Sequence, residues 1–424
     1  MDKQHDNDLV NLWDKQELEL SYPTEGITTE ERIAGAIMGA LIGDALAQGY
    51  LWNYNFKVLW ERNGTWVTDY SDPYVIEGGQ GMDEISNYRH SVGIRAGMSS
   101  QTGQLIQVLL KTVATNAKKN GTGEFINEEY ITDINSFFEN DLLPKAQFAP
   151  DQDIYETRPG TVGTYLGEPG GIMCWSGRYT DRVVREIFDY WYNKGSKDGK
   201  WWSDSHNVSN TSTSDAAQFG VILAGLYEDP KQLFYKAYDL ARMWFSDPAF
   251  ITQSVMYMLA VNAVINEVPL EEFGDYFPDL GIELRELRNK ICSFDDLAAP
   301  SRVIPMVKKP QIYSIHDDRF MAQVFGTDCH IYHLLPCAYY FAYKYAHDFE
   351  KGLLVAVNSS GNNMARATLT GGLLGAMNGI QAIPKRLIDG LIDDSGADLH
   401  GHASQGSYLL DLAKTVAKGR QRKK

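Results

Sequence analysis

Asp44 closes a run of three evenly spaced glycines. Gly35, Gly39 and Gly43 stand at i, i+4 and i+8 in IAGAIMGALIGDALA, so a helix would place them on one face. A carboxylate beside such a face can orient a hydroxyl or a water, or stabilise developing positive charge. It can equally be a structural partner at a helix junction. Because it falls near a helix C-terminus, where the dipole disfavours negative charge, an interior partner is expected. Asn363 and Arg366 are i, i+3 neighbours and share a helix face. Asn363 lies near that helix's N-terminus, a natural anion site, and Arg366 can clamp a phosphate or carboxylate bidentately. The competing reading pairs Arg366 with Asp44 across a helix contact. Trp52 and Tyr54 can stack on a base or sugar, or sit as core aromatics. His330 and His333, with Asp328 and Cys329 beside them, resemble a metal-ligand set; hydrogen-bonded histidines are the plainer reading. His400 and His402 read as exposed loop. The glycines from Gly160 to Gly171 can cradle a phosphate, but without the Gly-Lys-Ser/Thr ending of a P-loop they read as a mobile loop.

The elements that must position these residues are helices. The first starts at Thr28 or Thr29 as N-cap, with Glu30 and Glu31 in its first turn. Helical spacing recurs at 102–119, 180–193, 214–229, 248–266, 330–348, 348–358, 362–379, 384–394 and 404–419. Pro336 should kink or restart its segment. Period-2 alternation is scarce; residues 303–315 read as a strand pair limited to edges by Pro305 and Pro310. The fold class is all-α: one many-helix domain over 27–418, after a polar tail at 1–26 and before a basic, solvated tail at 419–424. Long connections at 50–97, 156–177 and 195–213 interrupt the pattern, and such loops are often functional.

Composition narrows the function classes. Of 424 residues, 44% are apolar and 12% aromatic, enough for a large core, which excludes global disorder and a disulfide scaffold. With 39 basic against 55 acidic residues the net charge is −16, so a nucleic-acid partner is disfavoured. Cys174, Cys292, Cys329 and Cys337 form no CxxC pair, which removes a zinc ribbon and a thioredoxin-like centre. The first residues are polar and acidic, unlike a signal peptide. No run of about 18 apolar residues suggests a membrane span. A cytoplasmic protein with a small-molecule partner is expected.

The string Gly35-x3-Gly39-x3-Gly43-Asp44-Ala45-Leu46 resembles the opening motif of the ADP-ribosylglycohydrolase superfamily. Residues 348–380 are similar to that family's C-terminal segment, where a helix leads through a Gly-Gly-Asp loop into a small-residue helix. Residues 43–55 look like the crystallin J and selenoprotein J branch, with Leu51 where histidine is usual. AGMSSQTGQL at 96–105 is similar to the branch's Ala-Gly-Glu-Asn-Thr-Leu-Asn segment. Residues 329–345 look like its Glu-His-x-x-Pro helix, with His333 near the family histidine, and Asn363 and Arg366 keep the Asn and Arg of its Asn-x-x-Arg pattern.

The resemblance implies hydrolysis of ADP-ribosyl or related ribosyl glycosides. Family members hold two Mg²⁺ ions on Thr-Asp-Asp-Thr-like and Asp-x-Asp-Thr motifs. Here those positions read Ser99-Ser100-Gln101-Thr102 and Asn362-Asn363-Met364-Ala365, so all four expected aspartates are absent. Hard divalent cations favour several oxygen ligands, so no metal or other cofactor is expected. The expected site is Asp44 as catalytic acid, with Trp52, Tyr54, Ser100, Gln101, His333, Asn362, Asn363 and Arg366 binding the ligand. A second carboxylate remains open among Asp83, Glu84, Asp215 and Asp328. The alternatives are a non-catalytic nucleotide- or ribosyl-binding protein and a structural, crystallin-like one.

Overall fold

The computed structural model describes residues 17–142 except 63, 65, 79–81 and 92, then 183, 184, 187, 188 and 191, and residues 211–283, 298–310, 317–392 and 404–422. Cys174, Cys292, His400, His402, the glycines from 160 to 171 and most of the expected helix at 180–193 lie outside them. Within that last segment, Val183, Val184, Ile187, Phe188 and Trp191 are described, helical and buried.

Every helix or strand of regular structure among the described residues is helical, and β-pairing is limited to isolated bridges. The centre is a pair of antiparallel helices, α1 (Thr29–Gln48) and a later helix, Asn363–Asn378. α1 begins with a capping box: Thr28 Oγ1 accepts from the Glu31 amide at 3.2 Å, and Glu31 Oε2 accepts from the Thr28 amide at 2.8 Å. From Arg32 to Gln48 all of its residues are buried, as expected of a helix packed on every side.

The glycine face explains how the pair closes. A Cβ added to Gly35, Gly39 or Gly43 would stand 2.3, 2.1 and 2.3 Å from the carbonyl oxygens of Gly375, Gly371 and Ala367. Each mid-helix glycine costs about 1 kcal/mol against alanine; here that cost permits backbone-to-backbone contact. The register is antiparallel, so Gln48 lies level with Asn362. At the far end the buried Arg32 guanidinium donates to the Ala376 and Met377 carbonyls at 3.0 and 2.7 Å, closing the partner's C-terminus.

After α1 come α2 (Phe56–Arg62), α3 (Met82–Ser91), α4 (Gln101–Asn120), α5 (Asn127–Phe137), α6 (Asp215–Leu226), α7 (Pro230–Trp244), α8 (Pro248–Ile265) and α9 (Phe273–Glu283). The rest are α10 (Ile304–Lys308), α11 (Met321–Phe325), α12 (Ile331–Lys344), α13 (Phe349–Val357), α14 (Asn363–Asn378), α15 (Lys385–Asp389) and α16 (Gln405–Lys418).

Four expectations change. α8 is apolar and long enough to cross a membrane by length and composition, but 83% of it is buried inside the protein, so it is a core helix. Of the expected strand pair over 303–315, residues 304–308 form α10, because Pro305 sits in the first turn, where its missing N–H costs nothing; residues 311–315 lie outside the described residues. Pro336 interrupts nothing visible: α12 is continuous, losing one bond to the Tyr332 carbonyl while buried Leu334, Leu335, Cys337 and Ala338 hold it in the core. The basic tail is docked at its start. Gln421 donates its amide to the Leu226 carbonyl at 2.8 Å and accepts from the Glu228 amide at 2.9 Å, with its side chain bonded to Gln232 and Gly123.

Candidate functional site

The C-terminal end of α1 meets the N-termini of three helices. α14 is brought there by the glycine register and α4 by Asp44 itself. The Asp44 carboxylate accepts from the Ser100 amide at 2.8 Å and from the Ser100 hydroxyl at 2.5 Å. Ser100 is the N-cap of α4, its Oγ also accepting from the Gly103 amide at 3.1 Å. Gly103 makes the approach possible, since a Cβ there would stand 2.1 Å from Asp44 Oδ2. α6 is brought in by Asp215, the first residue of that helix, which accepts from Thr102 Oγ1 at 2.9 Å and Thr213 Oγ1 at 2.6 Å. Two fully buried carboxylates thus hold the first turn of α4. Each faces a helix N-terminus, where the dipole favours negative charge. Asp44's partner is therefore not Arg366, as one reading of the sequence had it, but the α4 N-terminus.

Arg366 is fully buried. Its Nη1 donates to the Ser360 carbonyl at 2.9 Å, while Nε and Nη2 have no hydrogen-bond partner. Burial holds its guanidinium below the usual arginine range, opposed by Cys337, Tyr54 and Asp328 nearby. In turn, burial pushes the Cys337 thiol up to about 12, against the pull of Arg366. Asn363 donates Nδ2 to the Val357 carbonyl at 2.9 Å and leaves Oδ1 unpartnered. Gln48, one turn beyond Asp44 on α1, is buried with both amide atoms unpartnered. Such atoms are rare in folded proteins and call for a water or ligand.

Two strained loops close over this end. Trp52 and Ser360 have φ of 62° and 66°, costing about 1–3 kcal/mol each in a non-glycine residue. They face one another: the Trp52 amide donates to the Gly361 carbonyl at 3.1 Å, the Gly361 amide to the Asn53 carbonyl at 2.8 Å, and Ser360 Oγ to that same Asn53 carbonyl. A third loop joins them, the Asn362 amide donating to the Thr327 carbonyl at 2.8 Å. That loop is tied to the α6 side by the Ile331 amide on the Ser212 carbonyl at 2.6 Å.

The expected site residues divide accordingly. Asp44, Ser100, Gln101, Asn362, Asn363 and Arg366 come together around the helix ends, all buried. Ser100 and Asn362 are N-caps, with Asn362 Oδ1 accepting from the Ala365 amide at 3.4 Å. Trp52 is buried, with the Arg89 guanidinium 4.7 Å from its ring centroid, so one face is already covered. Tyr54 is exposed beside the site. His333 lies on the third loop's helix, its Nδ1 2.7 Å from Asp328 Oδ1. The metal-ligand reading of that cluster does not hold: His330 Nδ1 accepts from the Tyr332 amide, and no group of three or more candidate ligands occurs among the described residues.

Of the open carboxylates, Asp215 is the one that shares the α4 turn with Asp44. Asp83 accepts from the Tyr74 hydroxyl at 3.2 Å, and the Glu84 side chain lies outside the described residues. Sequence reasoning missed Gln48 and left Asp215 unassigned; Gln48's i, i+4 spacing from Asp44 was the available signal.

No carboxylate stands at either of the two metal-motif positions, 99–102 and 362–365. Ser100 Oγ is committed to Asp44 and the Asn362 oxygen to a helix cap. Met364 and Ala365 offer no hard oxygen on their side chains.

The chain belongs to the ADP-ribosylglycohydrolase family, whose model matches residues 25–423. A solved structure described as an ADP-ribosylglycohydrolase-related protein complex is similar over 93% of this chain and 99% of its own, at a TM-score of 0.50 and 14% identity, a likeness of fold. A search of curated proteins finds no match.

Proposed function

We propose that this member of the ADP-ribosylglycohydrolase family hydrolyses an ADP-ribosyl or related ribosyl N- or O-glycoside without a two-magnesium centre. The observation that carries the reading is the group of unpartnered buried polar atoms on Gln48, Asn363 and Arg366, at the point where the N-termini of α4, α6 and α14 converge. Helix N-termini and a guanidinium together suit a diphosphate. Exposed Tyr54 suits stacking on a base or sugar. Asp44 and Asp215, both buried at the first turn of α4, supply fixed negative charge for an oxocarbenium-like transition state. The motifs at 43–55, His333 to Pro336 and Asn363 to Arg366 support a position near the crystallin J branch.

The test is release of ADP-ribose from N-linked and O-linked ADP-ribosyl peptides, in EDTA and in Mg²⁺. Equal turnover of one of them in both buffers is expected. Turnover that requires Mg²⁺ contradicts the metal-free centre. A second reading, non-catalytic ribosyl binding, is favoured by one observation: Asp44 is fully buried with both oxygens engaged by Ser100. ADP-ribose binding with no release of either kind would select it.

A further inference from the structure

Asp328 and His333 form a polar unit at the same end of the molecule. His333 Nδ1 lies 2.7 Å from Asp328 Oδ1. An ionised carboxylate can only accept, so Nδ1 carries a proton, and in the neutral ring Nε2 keeps its lone pair. Asp328 is itself fixed, accepting from the His330 amide at 3.0 Å. Burial works to raise the Asp328 carboxyl, but the His330 amide and the His333 ring hold it below its usual range. The Cγ–Nδ1 side of the ring rests on Gly326, where a Cβ would come within 2.4 Å of both atoms and φ is +123°. With that side covered and the side chain 40% exposed, the Nε2 edge is the one left to solvent. The unit is tied to the site through Thr327 on Asn362, and Asp328 acts electrostatically on Arg366.

We propose that His333 is the general base of the hydrolysis, with Asp328 as its positioning residue; this rests on the hydrolase reading above. A water oxygen bonds to the anomeric carbon while the glycosidic bond breaks, its electron pair leaving with the departing nitrogen or oxygen. His333 Nε2 takes the proton that water loses, and solvent returns a proton to the leaving group. The reaction consumes one water and needs no other reactant. The charged and titratable groups facing His333 are Asp328 from the preceding loop, the His330 ring at 5.1 Å from the start of α12, and Arg366 of α14 acting through Asp328. Burial, and then His333, hold His330 below its usual range.

The experiment uses the full chain and the ADP-ribosyl peptide that it turns over. His333→Gln should lower kcat by about 100-fold or more and leave the Kd for ADP-ribose within about threefold. Asp328→Asn should lower kcat by about 10-fold. Turnover by His333→Gln within about threefold of wild type overturns the base assignment while the hydrolase reading stands. The ring-nitrogen signals of His333, read by NMR in wild type and Asp328→Asn, give a readout independent of turnover. A proton fixed on Nδ1 in wild type and no longer fixed there in the variant is expected; the same tautomer in both overturns the positioning role. If wild type releases nothing from either peptide, the hydrolase reading itself fails and the base role falls with it.

Discussion

The Asp44 carboxylate takes two hydrogen bonds from a single residue, Ser100, one from its amide and one from its hydroxyl. The contact joins the last turn of α1 to the first turn of α4. It satisfies two orphan ends at once: a carboxylate on an unfavourable C-terminal dipole, and a helix start in need of an acceptor. Asp44 therefore has a structural duty whatever chemistry it performs.

Ser100→Ala removes the N-cap, worth about 1 kcal/mol, and leaves one buried carboxylate oxygen short of a donor, worth about 1–3 kcal/mol. Urea unfolding should show a loss of about 2–4 kcal/mol. A loss below about 0.5 kcal/mol would mean that the contact carries no weight. Any activity change in Asp44→Asn has to be read beside the same unfolding curve.

Gly39→Ala and Gly371→Ala each place a methyl 2.1 Å from the other glycine's carbonyl oxygen. Overpacking of this kind costs about 1–3 kcal/mol or more, so both variants should unfold at lower denaturant. Gly274→Ala is the control. Gly274 is an exposed position in α9 with nothing within 4 Å of an added Cβ, and the change should be neutral or stabilising by up to about 1 kcal/mol. Equal effects at the three positions would contradict the close-contact account of the α1–α14 pair.

Arg366→Met separates a ligand-binding role from a structural one. Replacing a buried, underpartnered charge by an apolar side chain of similar length is often neutral or stabilising. The variant should fold at least as stably as wild type and bind ADP-ribose at least about 10-fold more weakly. Lower stability with unchanged binding would assign Arg366 to the fold alone.

Cys337 and Cys329 should differ in alkylation. Cys337 is fully buried with its thiol pushed up to about 12, so at pH 8 it stays protonated and covered. Cys329 is exposed. Brief iodoacetamide treatment of the native protein, mapped by mass spectrometry, should label Cys329 and spare Cys337. Rapid labelling of Cys337 at pH 8 would contradict the packing around Arg366.

The sequence exposes the central helix pair because its glycines have a period that only helices explain. Gly35, Gly39 and Gly43 share one face, as the spacing suggested, and there they meet Gly375, Gly371 and Ala367. It also brings together Asp44, Ser100, Asn362, Asn363 and Arg366, since each stands at a helix end that can be read from caps and turns. What it does not convey is pairing between distant helix ends. Whether Asp44 meets Arg366 or the α4 N-terminus depends on where α4 docks, and that is fixed by a contact 56 residues away in the chain. Asp215 is illegible for the same reason, joining the site through Thr102, 113 residues earlier. Local rules also fail where burial outweighs them: Pro336 is kept inside α12 by a buried flank, and Arg420 and Gln421, charged or polar, are held by Asn266, Leu226 and Glu228 rather than by solvent.

The central claim is a metal-independent site for an ADP-ribosyl group. Calorimetric titration of the full chain with ADP-ribose, once in EDTA and once in millimolar Mg²⁺, tests it most directly. Binding with the same Kd in both buffers, within about threefold, is the predicted result. Binding seen only with Mg²⁺, or in neither buffer, would contradict it.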